Sequence, residues 1–281
     1  MMSQQQLRGD GSDRLGQRPE VPAATIVIPT LNEEKYLPLL LESLRRVSAP
    51  MEIIVVDGNS TDRTAQVVEE YQPHFSGHAS LRFLCSDRRH IAYQRNIGAA
   101  RASHDTLIFC DADVVVPSRE HYVKLISHFT TQRLAVAAPV VVPVEPGLRF
   151  KLTFKLVYLL QRIVLRSGRA GFGGGYLLTS KDVFNRLGGF DARLSLGEDT
   201  DYSERAGRLG PYELIDVPIA ISARRLIHYG YGWIFNALPS IVRFIRTGHI
   251  DPESIHYPFG EYNEPSGRRS RRRSRRSRMA P

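Results

Sequence analysis

Cysteine is scarce: Cys85 and Cys110 are the only two in 281 residues. Both close apolar runs, which rules out a disulfide framework and leads us to expect reduced core residues in a reducing compartment, the cytosol. Long apolar runs are missing as well, since no stretch reaches the length that a bilayer-spanning helix needs. The opening residues, "MMSQQQLRGDGSDRLGQRPEVPAA", have no apolar segment behind a basic start, so residues 1–22 are expected to be a disordered polar leader and not a secretion signal. No repeat of solenoid length occurs. Acid is absent from residues 266–281, "SGRRSRRRSRRSRMAP", which hold eight arginines out of a net charge of +9 and leave +1 for the rest. The basicity therefore belongs to a tail. Such an Arg/Ser run cannot bury a core, and 251–281 is expected to be extended and disordered. A solvated tail is the plainest reading, an anionic membrane surface comes second, and nucleic acid is the least favoured partner.

What is present is enough for a sizeable core, with 42% apolar and 24% charged residues. Four segments repeat one pattern, a short β-branched run that stops at polar residues and is followed by a helix-like stretch. These are "ATIVIPT" (24–30), "EIIVVDGNSTDRT" (52–64), "LRFLC" (81–85) and "TLIFCDAD" (106–113). After the first, Leu37, Leu40, Leu41, Leu44 and Val47 recur at helical spacing. Asn32 is the expected N-cap there, and Pro38 predicts an irregular start or a kink. The last run leads to a helix expected over 118–130. Continuous rather than alternating apolar strands predict an α/β fold, a Rossmann-like, mainly parallel sheet flanked by helices. Ligands bind such sheets at the carboxyl ends of the strands, and that rim gathers Thr30, Asn32, Asp57, Asp111 and Asp113.

Beyond residue 143 the pattern loosens. Residues 148–166 read as one helix on which Lys151, Lys155, Arg162 and Arg166 fall within a sector of about 60° on an otherwise apolar surface. Two readings stand side by side, a membrane-surface helix and a core helix with snorkelling cations. A glycine-rich loop, "GFGGGY" (171–176), a strand "LLTS", a short helix near 181–187, the strand-like "YELIDVPIAIS" and a mixed aromatic, basic helix around 231–246 complete a helical C-terminal extension.

Asp111 and Asp113, one residue apart at a strand end, form a hard-oxygen set suited to Mg²⁺ or Mn²⁺ carrying phosphate oxygens. In an extended segment both point to one side and Ala112 points away. Alone, the pair can be a cap and "DGNSTD" a turn. Glu198 and Asp199 can be first-turn caps, His228 an ordinary core or surface histidine, and Gly173, Gly174 and Gly175 a connector whose glycines permit close backbone approach.

Taken in order, "VIPTLNEEKYL", "IIVVDGNSTDRT", "RNIGAARA", "LIFCDADV", "GGGY", "GGFD" and "GED" resemble family 2 of the nucleotide-sugar glycosyltransferases over roughly residues 23 to 230. The resemblance implies the GT-A fold, with a nucleotide-sugar half at 23–145 and an acceptor half with amphipathic helices at 146–250. It places Pro29, Thr30, Asn32 and Glu33 along the nucleotide, Asp57 on the base, and Arg95 and Asn96 beside the base and diphosphate. Asp111, Ala112 and Asp113 face the ribose, sugar and metal. Asp113 and His228 become metal ligands, Asp199 the acceptor-activating base, and Glu198 with Gly173, Gly174 and Gly175 acceptor-facing. The implied reaction is an inverting single displacement from a UDP- or GDP-sugar to an acceptor hydroxyl, with Mn²⁺ or Mg²⁺. The acceptor classes to consider include lipid-linked and cell-surface glycan precursors, met by a cytoplasmic or peripheral enzyme at the inner membrane face. The chain departs from processive synthases in lacking Q-x-x-R-W, because "SARRLIHYGYGW" has Arg224, Arg225 and Trp233 in another order. A nucleotidyltransferase remains as the alternative enzyme, although "IPTLNEE" lacks the glycine-rich, lysine-bearing loop that it needs. A nucleic-acid or membrane binding module driven by the Arg tail is the alternative outside enzymes.

Overall fold

The computed structural model describes residues 21–171, 173–194, 197–230, 239 and 242–248. The leader up to residue 20, most of the helix expected around 231–246 and the Arg-rich tail lie outside the described residues. The four β-branched runs form strands β1 (Ala24–Thr30), β2 (Met51–Asp57), β3 (Ala79–Cys85) and β4 (Thr106–Cys110), side by side in the order β3-β2-β1-β4 and all parallel. Every residue of β1, β2 and β4 is buried. This is why these strands read as unbroken apolar runs: each has neighbours on both sides and helices over both faces. Strand β3 is the parallel edge and is only partly covered. Cys85, at its end, is exposed, against expectation, whereas Cys110 is buried, and both are free thiols.

Helices α1 (Leu37–Val47), α2 (Thr64–Tyr71), α3 (Ile91–Ala100) and α4 (Arg119–Thr131) follow the strands in turn. The apolar spacing of the first is borne out, since Leu37, Leu40, Leu41, Leu44 and Val47 are all buried. Its start differs from the expected one. Pro38 falls in the first turn of the helix, where its missing N–H would have had no partner. Asn32 is not the N-cap. It adopts a positive φ of 56°, and its Oδ1 accepts from Thr61 N at 2.8 Å, which ties the loop after β1 to the loop after β2. Ser118 caps α4 by accepting from His121 N.

The second half of the sheet is mixed. After the two-residue β5 (Val114–Val115) come β6 (Val136–Pro143), α5 (Leu148–Arg166), β7 (Tyr176–Ser180), α6 (Lys181–Leu187), α7 (Glu198–Gly207), β8 (Tyr212–Ile221) and α8 (Arg224–Tyr229). Strand β7 lies antiparallel between β4 and β6, β8 runs parallel to β6, and β5 closes the far edge antiparallel to β8. The core divides across the sheet. One side packs α1, α2 and α4 residues such as Leu44, Val67 and Tyr122 against the strands. The other centres on Phe109, Phe184, Phe190 and Tyr202, where the Phe190 and Tyr202 rings stack at 4.5 Å. Val21, within the expected leader, already packs into the first of these.

Helix α5 is buried along one stripe only. Only Phe150, Thr153, Gln161 and Val164 are buried, whereas Leu148, Leu152, Leu156, Leu159 and Ile163 are exposed. It is not a core helix.

Candidate active site

The rim is built by strand register. Parallel pairing sets Thr30 opposite Asp57, and the buried Gln94 amide of α3 donates to Thr30 O at 2.8 Å and Val56 O at 2.7 Å, holding the ends of β1 and β2 together. Asp57 is itself part of the turn: Thr30 Oγ1 donates to its Oδ1 at 2.9 Å and Ser60 N to its Oδ2 at 2.8 Å. Pro29 is a buried β1 residue and Ala112 is buried in the core.

Asp111 and Asp113 follow β4 directly and are both buried. Asp111 N donates to Gly175 O at 2.8 Å, a consequence of Cys110 pairing with Tyr176 across the β4–β7 ladder. Asp113 is fixed from the other side: Val114 pairs with Ile221, Ser222 N donates to Asp113 O at 3.0 Å, and α8 begins two residues later.

Three arginines neutralise this centre. Arg95, from α3, donates to Asp111 Oδ1 at 2.8 Å and to Glu198 Oε1 at 2.7 Å. Arg224 grips both oxygens of Glu33, at 2.7 and 2.9 Å, and its Nε lies 2.7 Å from Asp113 Oδ2. Its guanidinium also covers the Tyr36 ring at 4.5 Å. Arg225 stands 3.7 Å from Asp111 Oδ2. Burial opposes ionisation of Asp111, but Arg95, Arg225 and Arg224 outweigh it and hold its carboxyl below the usual range. Asp113 goes the other way: burial raises it, the pull of Arg224 and Arg225 falls short, and Asp111 adds repulsion. Burial likewise lifts Glu33 to about 7 against Arg224, and Glu198 to about 7 against Arg95.

Whether the carboxylates suit a divalent cation is tested by Asp113 Oδ1, which is buried and has no hydrogen-bond partner among the described residues. A buried carboxylate oxygen left in that state is costly, and a cation would satisfy it. No group of three His, Cys, Asp or Glu side chains is assembled for a metal among the described residues, so His228, exposed on α8, is not gathered with Asp111 and Asp113 into such a set. Two carboxylates fit Mg²⁺ or Mn²⁺ nonetheless, because Mg²⁺ is commonly bound through one or two carboxylates plus substrate phosphates and water.

The glycine loop joins this centre to α7. Gly173 N donates to Asp199 Oδ2 at 3.1 Å, and Thr200 N to Asp199 Oδ1 at 2.8 Å. Glu198 is turned inward to Arg95. At Gly175, φ is 85° and a Cβ would lie 2.6 Å from Ile221 Cδ1 and 3.1 Å from Asp111 Oδ2, so both backbone and space demand glycine. Asn96 is brought elsewhere: it donates to Phe190 O at 2.8 Å and accepts from Phe190 N at 2.9 Å, pinning the "GGFD" segment.

Sequence reasoning passed over Arg224 and Gln94 as site residues. The Arg-Arg pair in "SARRLIHYGYGW" was the available signal for the first; an amide inside an apolar helix gives none for the second.

A family model described as Glycosyl transferase family 2 matches residues 25–188, more than half of the chain. The 4,4'-diaponeurosporenoate glycosyltransferase of Staphylococcus haemolyticus is 33% identical over 39% of this chain and 29% of its own length. The succinoglycan biosynthesis protein ExoA of Rhizobium meliloti is 27% identical over 67% of this chain and 59% of its own length. The chain thus spans well under two thirds of these relatives. Among solved structures, the mannosyltransferase PcManGT from Pyrobaculum calidifontis, in complex with GDP-Man and Mn²⁺, has a TM-score of 0.61 at 20% identity over 82% of this chain and 66% of its own. The Staphylococcus aureus TarS 1–349 structure has a TM-score of 0.55 at 20% identity over 79% and 64%. These neighbours bear out the GT-A fold, and the family match sets the nucleotidyltransferase alternative aside.

Proposed function

From the premise that this chain belongs to glycosyl transferase family 2, we propose that it moves a sugar from a UDP- or GDP-sugar to an acceptor hydroxyl, with inversion at the anomeric carbon. The observation that carries this reading is the glycine loop, whose two ends touch Asp111 and Asp199. A sugar resting on that loop has the diphosphate side at the strand ends and an acceptor at the N-terminus of α7. Gly173 and Gly175 let the loop backbone lie directly against Asp199 and Asp111, where a Cβ would meet those carboxylates at 3.4 and 3.1 Å.

Thr30, Asn32, Glu33 and Asp57 line the nucleotide in this reading; Asp57 Oδ2, which accepts from Ser60 N, also accepts from the base. Arg95 acts through Asp111 and Glu198, holding donor-side and acceptor-side carboxylates in one frame. Asp111 and Asp113 would hold Mn²⁺ or Mg²⁺, which would supply positive charge opposite the diphosphate leaving group; His228 is proposed as a further ligand. Asp199 takes the proton of the acceptor hydroxyl as that oxygen bonds to the anomeric carbon and the bond to the diphosphate breaks. The Gly173 and Thr200 N–H groups fix the orientation of its carboxylate. PcManGT with GDP-Man and Mn²⁺ and TarS 1–349 with UDP-GlcNAc support the donor class. The acceptor in this reading is a lipid-linked or cell-surface glycan precursor met at the cytoplasmic side; the match to a succinoglycan biosynthesis protein supports a glycan acceptor in general.

Asp199→Asn keeps the shape and a hydrogen-bonding oxygen but cannot take the proton, so kcat should fall by about 10²–10⁴ while donor binding with metal stays near that of the parent. Steady-state transfer and calorimetric donor binding read the two separately. Near-normal kcat would assign Asp199 to helix capping alone.

A further inference from the structure

Among the described residues ten large apolar side chains are exposed, and five of them, Leu148, Leu152, Leu156, Leu159 and Ile163, lie on α5. Taking about 100° per residue, these five span a continuous sector of about 80°, and Lys151, Lys155, Arg162 and Arg166 fill the adjoining sector of about 60°. Arg149 flanks the other side. All five basic residues are exposed, and α5 contains no acid. The helix is 19 residues long, about 28 Å, and no helix among the described residues is long and apolar enough to cross a membrane.

We propose that the outward face of α5 is a docking surface for an anionic lipid bilayer, with the helix lying in the interface plane, its leucines among the acyl chains and its lysines and arginines at the headgroups. Charge complementarity selects this occupant. A second copy of the chain would bring two acid-free basic faces together, whereas anionic lipid accepts both the apolar and the cationic sectors at once.

The surface is connected to the candidate site at both ends. Three residues before α5, Glu145 accepts from Ser222 Oγ and from Ala223 N at 2.6 Å, beside the Arg224 that holds Asp113. Five residues beyond its end begins the segment that carries Gly173 and Gly175. The chain at both ends of α5 thus runs directly into segments of the candidate site. The docking surface itself does not rest on the transferase reading.

Flotation of the full chain with phosphatidylcholine vesicles, with and without phosphatidylglycerol, tests it. The parent should float with the anionic vesicles, and less so at high salt. Leu152→Glu/Leu156→Glu, which leaves the basic tail in place, should lower vesicle affinity about tenfold or more, and Lys151→Glu/Lys155→Glu should lower it by a similar factor. Thermal melting and nucleotide binding of both variants should match the parent, which separates a failure here from a failure of the transferase reading. Three results would overturn the proposal: no binding of the parent to anionic vesicles at low salt, a leucine variant that floats like the parent, or a leucine variant that unfolds or changes from dimer to monomer. The last would show the face covered by the chain itself or by a second copy.

Discussion

Arg95 shows how much of the site rests on single buried charges. One guanidinium reaches Asp111 and Glu198 through separate nitrogens and lies 5.3 Å over the Phe190 ring. Removing it strands two carboxylates in the interior, so Arg95→Met should lower unfolding free energy by about 3–5 kcal/mol in a urea titration. Arg95→Lys restores a charge but not the two-ended fork, and it should recover only part of the loss. A loss in Arg95→Met no larger than that of a surface substitution would show that the carboxylates do not depend on it. This arrangement was only partly legible. The family resemblance put Arg95 in the segment beside the base and diphosphate, while the sequence pattern itself put Asp111 and Asp113 at a strand mouth, because a polar stop after an apolar run is a local signal. Arg224, 191 residues beyond Glu33 in the chain, could not be paired with it by any local rule, since only the β5–β8 ladder brings them together.

At the scale of elements, the parallel half was readable because its strands are buried on both faces and flanked by capped or apolar-periodic helices. The tight spot in that half is Gly98, where α3 crosses β1. A Cβ there would collide with the Val27 side chain and come within 3.2 Å of Val56 Cγ2. Gly98→Ala should therefore destabilise by about 1–3 kcal/mol through overpacking, although alanine is the better helix former; chemical denaturation with an unchanged m-value would report it. A neutral or stabilising effect would mean that α3 can move off the sheet at little cost. The mixed half was less readable. The antiparallel insertion of β7 between β4 and β6 follows from long-range pairing and not from the five-residue pattern of β7. Likewise α5 carries apolar residues on nearly all sides, so periodicity alone could not say which of them face the sheet.

For the whole molecule, the arrangement is one sheet whose parallel strands deliver Thr30, Asp57, Asp111 and Asp113 to a rim, and whose later strands bring Gly173, Gly175, Asp199 and Arg224 up to it. The family resemblance in the sequence anticipated the class of protein because its motifs lie in chain order along that rim. It did not anticipate that guanidinium groups partner the same carboxylates, which makes the cation reading the claim most worth testing. Calorimetric titration of UDP and of GDP into the parent and into Asp113→Asn, each with and without Mn²⁺, does so directly. The account predicts that the parent binds one of the two nucleotides about tenfold or more tightly with Mn²⁺, a gain of about 1.4 kcal/mol or more, and that Asp113→Asn loses this gain while its melting temperature shows it folded. Equal affinity of the parent with and without the metal, or a metal-dependent gain kept in folded Asp113→Asn, would contradict it.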